Sequence, residues 1–323
     1  MSEQRNVLTI ATGKQVFLDL AINLARSFKW WNPGSEIQFY LVTDLATEIP
    51  ADVKHFAIIK KIRPGDFGDG FSTKLYLDQL APGGKTLFID SDCLVFGDLK
   101  PLFAAFDGKP VSVIGSFIAN GEWFGDIETI CRNFEVPHLP KFNGGVYYLE
   151  KGKKATAVYE TARKLEKEYD EIGFVRLRNK PNDEVLMALA LQLNNQAPIY
   201  DDSTYLSDPQ ACPGGYSIDV LNGERWLINP PAPHPLHQSW YTFEKVSPLI
   251  VHFLGYYTTH YPYRRQAYRL QKALNNNLNR VTDFTGKLLI EYPGRLKIYL
   301  KNGLRPLYRK LFGFRKIKVS ERV

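Results

Sequence analysis

Cysteine is scarce in this 323-residue chain, and Cys93, Cys131 and Cys212 form neither a CxxC pair nor an even-numbered framework. A disulfide scaffold is thereby excluded, and the three are expected to be reduced and mostly buried, as in a cytosolic protein. Long apolar runs are missing as well. The longest uncharged stretch, SPLIVHFLGYYTTHYPY, falls short of the roughly 20 apolar residues of a membrane span and carries two histidines. The N-terminus lacks a basic segment followed by an apolar core, so no secretory leader is expected. Repeats of fixed period and low-complexity tracts are also lacking. With 44% apolar and 23% charged residues, the composition is that of a folded protein with a sizeable core, not a disordered one.

The net charge of +7 is concentrated at one end: residues 295–323 hold ten Lys/Arg against the single acid Glu321, which leaves −2 for the rest. A nearly neutral body argues against nucleic acid as a partner. The basic C-terminus argues for an anionic surface. From Arg295 to Phe312, Leu296, Leu300, Leu304, Leu307 and Leu311 fall on one helical stripe, with Arg295, Lys297, Lys301, Arg305 and Arg309 mostly elsewhere and Pro306 placed to kink the helix. This is the pattern of an interfacial helix on acidic lipid, or of a helix packed on the body with a solvated basic face.

Along the chain, VLTIAT (7–12), IQFYLVTD (37–44), HFAIIKKI (55–62) and TLFIDSD read as buried strands. A helix is expected after Gly13 up to the breaker WWNPGS, and another over FSTKLYLDQLAP (71–82). The second half adds strands at VSVIG (111–115), GGVYYLE (144–150) and LIVHFLG (249–255), a charged helix over 153–169 and a helix DEVLMALALQL (183–193). Strands alternating with helices predict an α/β fold with a mostly parallel sheet covered on both faces. No Gly/Ser linker divides it, so one domain over 1–290 is expected, with a donor half of about 1–115, an acceptor half of about 116–290 and a basic tail at 291–323.

In TLFIDSDCLVFGDL, Asp90 and Asp92 flank Ser91 at the carboxyl end of an apolar strand, where α/β sheets bind their ligands. Such a pair is either solvated or capping the next turn, or it shares a divalent cation, for which hard oxygen ligands suit Mg²⁺ or Mn²⁺. One reading is a haloacid dehalogenase-like phosphatase with Asp90 as nucleophile and Asp201 and Asp202 as its downstream metal acids. A second is a non-catalytic module binding a sugar nucleotide or a membrane surface. The third rests on four blocks in order: VLTIATG, FSTKLYLDQL with TLFIDSDCLVFGDLKPLF, KFNGGVYYLEKG, and VHFLG. Together they resemble the GT-A glycosyltransferases, especially the retaining enzymes of glycosyltransferase family 8.

The resemblance implies a fold, a reaction and a set of site residues. Asp90, Asp92 and His252 would hold the metal, and the metal would grip the diphosphate of a UDP-sugar; an imidazole in the set favours Mn²⁺. Ala11, Thr12 and Gly13 would form the base-binding corner. Lys74, Ser91, Gly144, Gly145 and Gly255 would line the donor, and Asn143, Asp183 and Glu184 would face the transferred sugar. On local grounds alone, His252 is a core histidine, Lys74 a solvated helix residue, Gly144–Gly145 a bulge, and Asn182–Glu184 a helix cap. The family's late K-P-W is absent from HFLGYYTTHYPYRR, where His260, Arg264 or Arg265 would substitute. A glycan or lipid-linked acceptor and a cytoplasmic location, peripheral on the inner face of a membrane, complete the expectation.

Overall fold

A computed structural model of the chain describes residues 4–313. The first half contains β1 (Arg5–Ala11), the helix Gln15–Trp31, β2 (Ile37–Thr43), β3 (Ala57–Lys61), β4 (Lys85–Ile89) and β5 (Cys93–Val95). β6 (Val111–Ile118) and β7 (Leu139–Glu150) lead into the helices Lys153–Lys167 and Asp183–Leu193, and β8 (Ile199–Tyr200) follows. Five short strands complete the set: β9 (Leu206–Ser207), β10 (Gly215–Asp219), β11 (Glu224–Ile228), β12 (Lys245–Val246) and β13 (Ile250–His252).

Seven strands form one sheet in the order β3-β2-β1-β4-β7-β6-β8. All neighbouring pairs are parallel except those made by β7, which opposes both β4 and β6. Both faces are covered, which is why β4 ends in the apolar run Leu87–Ile89. Leu87 and Ile89 pack on the side of the helix Gln15–Trp31, and Phe88 on that of the helix Asp183–Leu193. β1 and β4 run in parallel in adjacent positions, so the residues that leave them, Thr12 and Asp90, emerge at the same edge.

Two irregularities build the site at that edge. β6 and β7 pair Val113 with Tyr147 and Gly115 with Phe142, so two steps on β6 face five on β7 and the stretch Asn143–Val146 bulges from the ladder. On its other side β7 stays paired, Val146 with Ile89. The second irregularity is a separate small sheet, β5-β13-β9, in which His252 pairs with Cys93 and the Phe253 N–H donates to the Asp92 carbonyl at 3.0 Å. It carries His252 from the far end of the chain to Asp92.

Beyond β13, the helix Tyr261–Leu274 packs on the body, and Arg265 and Arg269 reach Asp283 and Asp219, each at 2.6 Å. A continuous helical path through Arg280–Gly286 and Lys287–Glu291 ends in the helix Tyr292–Phe312, which runs on past Pro306 and buries no residue. Of the basic tail, Arg315, Lys316, Lys318 and Arg322 lie outside the described residues.

Candidate active site

Asp92 and His252 meet. His252 Nε2 lies 2.9 Å from Asp92 Oδ1, and both side chains are largely buried. The other carboxylate oxygen, Oδ2, accepts the Gly255 N–H at 2.9 Å, where Leu254 and Gly255 take positive φ of 34° and 36° to turn that N–H inward. Among the described residues Oδ1 has no polar partner besides the His252 imidazole, which approaches at an angle poor for a hydrogen bond. A buried carboxylate oxygen beside an imidazole nitrogen is a donor set for a cation. Neighbouring ligands of an octahedral ion with bonds of about 2.1 Å stand about 3 Å apart. The residues present therefore fit a divalent metal. Without one, the proton takes its place: the Asp92 charge outweighs the cost of burial and pushes the His252 imidazolium up to about 9, and His252 in turn holds Asp92 down at about 2.

Cys93 Sγ lies with these ligand atoms, all within 4.8 Å of one another. Burial pushes its thiol far up, and Cys93, like Cys131 and Cys212, is a free, buried thiol. Asp90 is turned elsewhere. Its Oδ2 accepts from Lys74 Nζ at 2.8 Å and its Oδ1 from the Ser91 N–H at 3.0 Å.

Lys74 is not a solvated residue. It comes from a tight 3₁₀ stretch, Gly70–Tyr76, where the sequence predicts an α-helix, and its Nζ also donates to the Gly144 carbonyl at 3.1 Å and lies 3.5 Å from Asp183 Oδ2. Burial opposes its charge, but the two carboxylates more than offset that and its pKa is raised. Asp183 also accepts from Tyr147 Oη at 2.5 Å, and burial holds its pKa above the usual range despite Lys74. Glu184, one residue on, accepts the Gly144 N–H at 2.7 Å and is pushed up to about 7 by burial and by Asp183. Asn182 caps this helix through the Glu184 N–H, so the capping expectation is met in the segment that also carries Asp183 and Glu184.

The bulge explains the glycines. A Cβ on Gly144 would come within 2.9 Å of Glu184 Oε1, and one on Gly145 within 2.7 Å of His252 Nδ1. Asn143, expected to face the sugar, has its amide engaged: Oδ1 accepts the Gly145 N–H at 2.9 Å and meets His252 Nδ1 at 2.7 Å, and Nδ2 donates to Asp208 Oδ2 at 3.0 Å. Sequence reading missed Asp208, Tyr147 and Asp44. Asp44, at the end of β2, accepts the Gly13 N–H at 2.9 Å and fixes the turn Thr12–Gly13, where Gly13 has φ 78°. A signal for it was present, because the strand IQFYLVTD ends in an acid at the same sheet edge as Asp90.

Of the substitutes for the late lysine, Arg265 is buried on Asp283 and lies 3.8 Å from Glu291. His260 packs on the rings of Tyr256 and Tyr257, and its pKa is lowered by burial and by Lys301 and Lys297 of the tail helix. Asp201 and Asp202, the acids of the phosphatase reading, accept the N–H groups of Ser203 and Thr204 as turn caps.

No protein-family model and no curated protein sequence matches the chain. Solved structures do. A complex of the galactosyltransferase LgtC with donor and acceptor sugar analogues superposes with a TM-score of 0.54 over 87% of this chain and 99% of that one, at 14% identity. An active-site mutant of LgtC gives 0.51 over 77% and 87%, at 16% identity. At such identity the likeness establishes architecture, and the chain has the GT-A fold, resembling in its fold the family 8 glycosyltransferases.

Proposed function

We propose that this chain is a glycosyltransferase that uses a divalent cation, Mn²⁺ or Mg²⁺, to move a sugar from a UDP-sugar to a glycan or lipid-linked acceptor with retention of configuration. The observation that carries the proposal is the buried, unsatisfied Asp92 Oδ1 against His252 Nε2, at the sheet edge where Asp90 and the glycine bulge also emerge. Asp92 and His252 are assigned as ligands, with Asp90, held here by Lys74 and the Ser91 N–H, as the third. Ala11, Thr12 and Gly13 form the base corner, Ser91, Gly144, Gly145 and Gly255 line the donor, and Asp183 and Glu184 face the sugar.

In glycosyl transfer the bond from the anomeric carbon to the phosphate oxygen breaks, and its electron pair leaves with the diphosphate. A bound cation supplies Lewis-acid stabilisation of that departing charge. The chain's own residues do the rest. Gly144 and Gly145 have no side chain and so let Glu184 and His252 close on the bulge, Lys74 holds Asp90 and Asp183 in fixed relation, and the Asp183–Glu184 pair sets negative potential where positive character develops on the ring. A front-face route of this kind needs no strong protein nucleophile. The basic tail is assigned to an anionic membrane surface, and the proposed acceptor is a lipid-linked glycan at the inner, cytoplasmic face.

Incubation with UDP-sugars and Mn²⁺ is expected to release UDP slowly by hydrolysis, while p-nitrophenyl phosphate stays intact. Cleavage of the phosphate ester would instead favour the phosphatase, and inertness in both assays a binding module. Asp92→Ala is expected to abolish Mn²⁺-dependent UDP binding measured by calorimetry; unchanged affinity would remove the ligand assignment.

A further inference from the structure

Asp208 has no role in the site as described so far, yet it is only 7% exposed and all its contacts are specific. It follows the two-residue strand β9. Its Oδ1 accepts the N–H groups of Gln210 and Ala211, both at 2.8 Å, and its Oδ2 accepts Asn143 Nδ2. Those two backbone donors fix which oxygen faces Asn143.

The Asn143 amide then has one orientation. Its Nδ2 faces a carboxylate oxygen, which only accepts, and its Oδ1 faces the Gly145 N–H, which only donates. The same Oδ1 lies 2.7 Å from His252 Nδ1, so that nitrogen must carry a proton to make the contact. In the neutral imidazole the lone pair is consequently on Nε2, the nitrogen that faces Asp92. A residue 65 positions from Asn143 thus decides the tautomer of a histidine a further 109 positions away from that asparagine.

We propose that Asp208 is a positioning residue which, through Asn143, holds neutral His252 as its Nδ1–H tautomer and keeps the Nε2 lone pair directed at the place between it and Asp92. The inference rests on the metal reading of that place for its consequence; for the tautomer it holds that the Asn143 carbonyl outweighs the Asp92 carboxylate, which faces Nε2 and favours a proton there.

Asp208→Asn tests it by reversing the polarity of the relay. The new carbonyl stays on the Gln210 and Ala211 amides, so the new NH₂ faces the Asn143 NH₂; turning that amide over relieves this contact and gives up the bond from the Gly145 N–H in exchange. Asn143 Nδ2 then faces His252 Nδ1 and selects the Nε2–H tautomer. Mn²⁺ affinity of the full chain with UDP, read from the paramagnetic resonance signal of free Mn²⁺, is expected to fall roughly 10–100-fold. Adding Asn143→Asp to Asp208→Asn supplies an all-acceptor group opposite the new NH₂, and affinity is expected to return toward wild type. Asn143→Asp alone sets two carboxylates face to face and is expected not to retain it. Thermal midpoints of all variants separate loss of the fold from loss of the relay.

The tautomer is read without metal from the ¹⁵N shifts of histidine-labelled protein at a pH where the imidazole is neutral, with His252→Gln assigning the signals. Wild type is expected to show Nδ1–H and Asp208→Asn to show Nε2–H. The same tautomer in both, or a folded double variant that stays weak, would overturn the inference. A wild type that shows Nδ1–H and binds no Mn²⁺ would instead sink the metal reading and leave the relay standing.

Discussion

Lys74 is buried between two carboxylates, and among the described residues neither Asp90 nor Asp183 makes another salt bridge. Removing one partner of such a group leaves uncompensated charge. Lys74→Met is expected to lower stability by roughly 3 kcal/mol at neutral pH, measured by urea denaturation, because Asp183 then remains buried as an anion. The sign of the pH effect follows: acidification protonates Asp183, so the deficit should shrink as pH falls. A deficit that stays constant would mean that lost packing on Phe88 and Tyr147, not charge, carries it. Glu184 gives a cleaner case. Its folded carboxyl is raised from 4.5 to about 7, so the folded chain binds more protons than the unfolded chain between those values and stability falls as pH rises through that window. Glu184→Gln is expected to remove that slope, seen by comparing urea midpoints at about pH 5 and about pH 8. His252 works in the opposite sense toward a ligand. With its pKa raised to about 9, its contact with Asp92 contributes stability below 6.5 that is lost as pH rises through about 9, while a cation must displace that proton. Mn²⁺ binding is therefore expected to tighten as pH rises across neutrality and to release protons into a weak buffer.

At the scale of elements, the bulge in β7 is the device that couples sheet to site. Gly145→Ala would set a Cβ 2.7 Å from His252 Nδ1 and 3.0 Å from Asn143 Oδ1, so it is expected to weaken Mn²⁺ binding strongly. Gly152→Ala, whose Cβ meets nothing within 4 Å, serves as the neutral control, and equal affinities in the two would argue against the packing described. The legibility of the sequence also divides by element. The helix Asp183–Leu193 and the helix closed by WWNPGS follow from apolar spacing and breakers, and both appear where the pattern puts them. β7 reads as starting at Gly144 but starts at Leu139, because the bulge destroys the alternation that would have joined the two parts. LIVHFLG yields a strand of three residues, since Leu254 and Gly255 leave the extended region to reach Asp92. β8 to β12 are too short, or too isolated among prolines and glycines, to carry a period. As for the site, the order of four blocks singled out Asp92 and His252, which the structure brings together, and Asp90, which turns to Lys74. Asp208 was not, because its meaning lies in which oxygen faces which amide, a property of the folded contact.

For the whole molecule, charge and exposure point to one surface. The body carries −2, so attraction to an anionic layer has to come from the +9 of residues 295–323, and it will act mainly through one end. Leu296, Leu300, Leu304, Leu307 and Leu311 are 49–65% exposed on a helix that buries no residue, although its first turn stays against the body, with Arg295 over the Tyr261 ring and on Glu291 at 2.7 Å. No described helix is long and apolar enough to cross a membrane, and the arrangement proposed for the stripe and the cations is a helix lying in the headgroup region. Two consequences separate this from generic stickiness. Truncation after Tyr292 removes side chains that contribute nothing to the core, so the thermal midpoint is expected to hold while pelleting with anionic liposomes drops. Pelleting of the full chain is also expected to weaken with added salt, since the Debye length falls from about 8 Å at physiological ionic strength to about 3 Å at 1 M. The apolar stripe should resist that screening, so loss with salt should be partial, and replacing Leu300 and Leu304 by serine should make it complete. If the truncated chain pelleted as well as the full one, the tail would have no part in lipid contact, and the nearly neutral body would have to supply it.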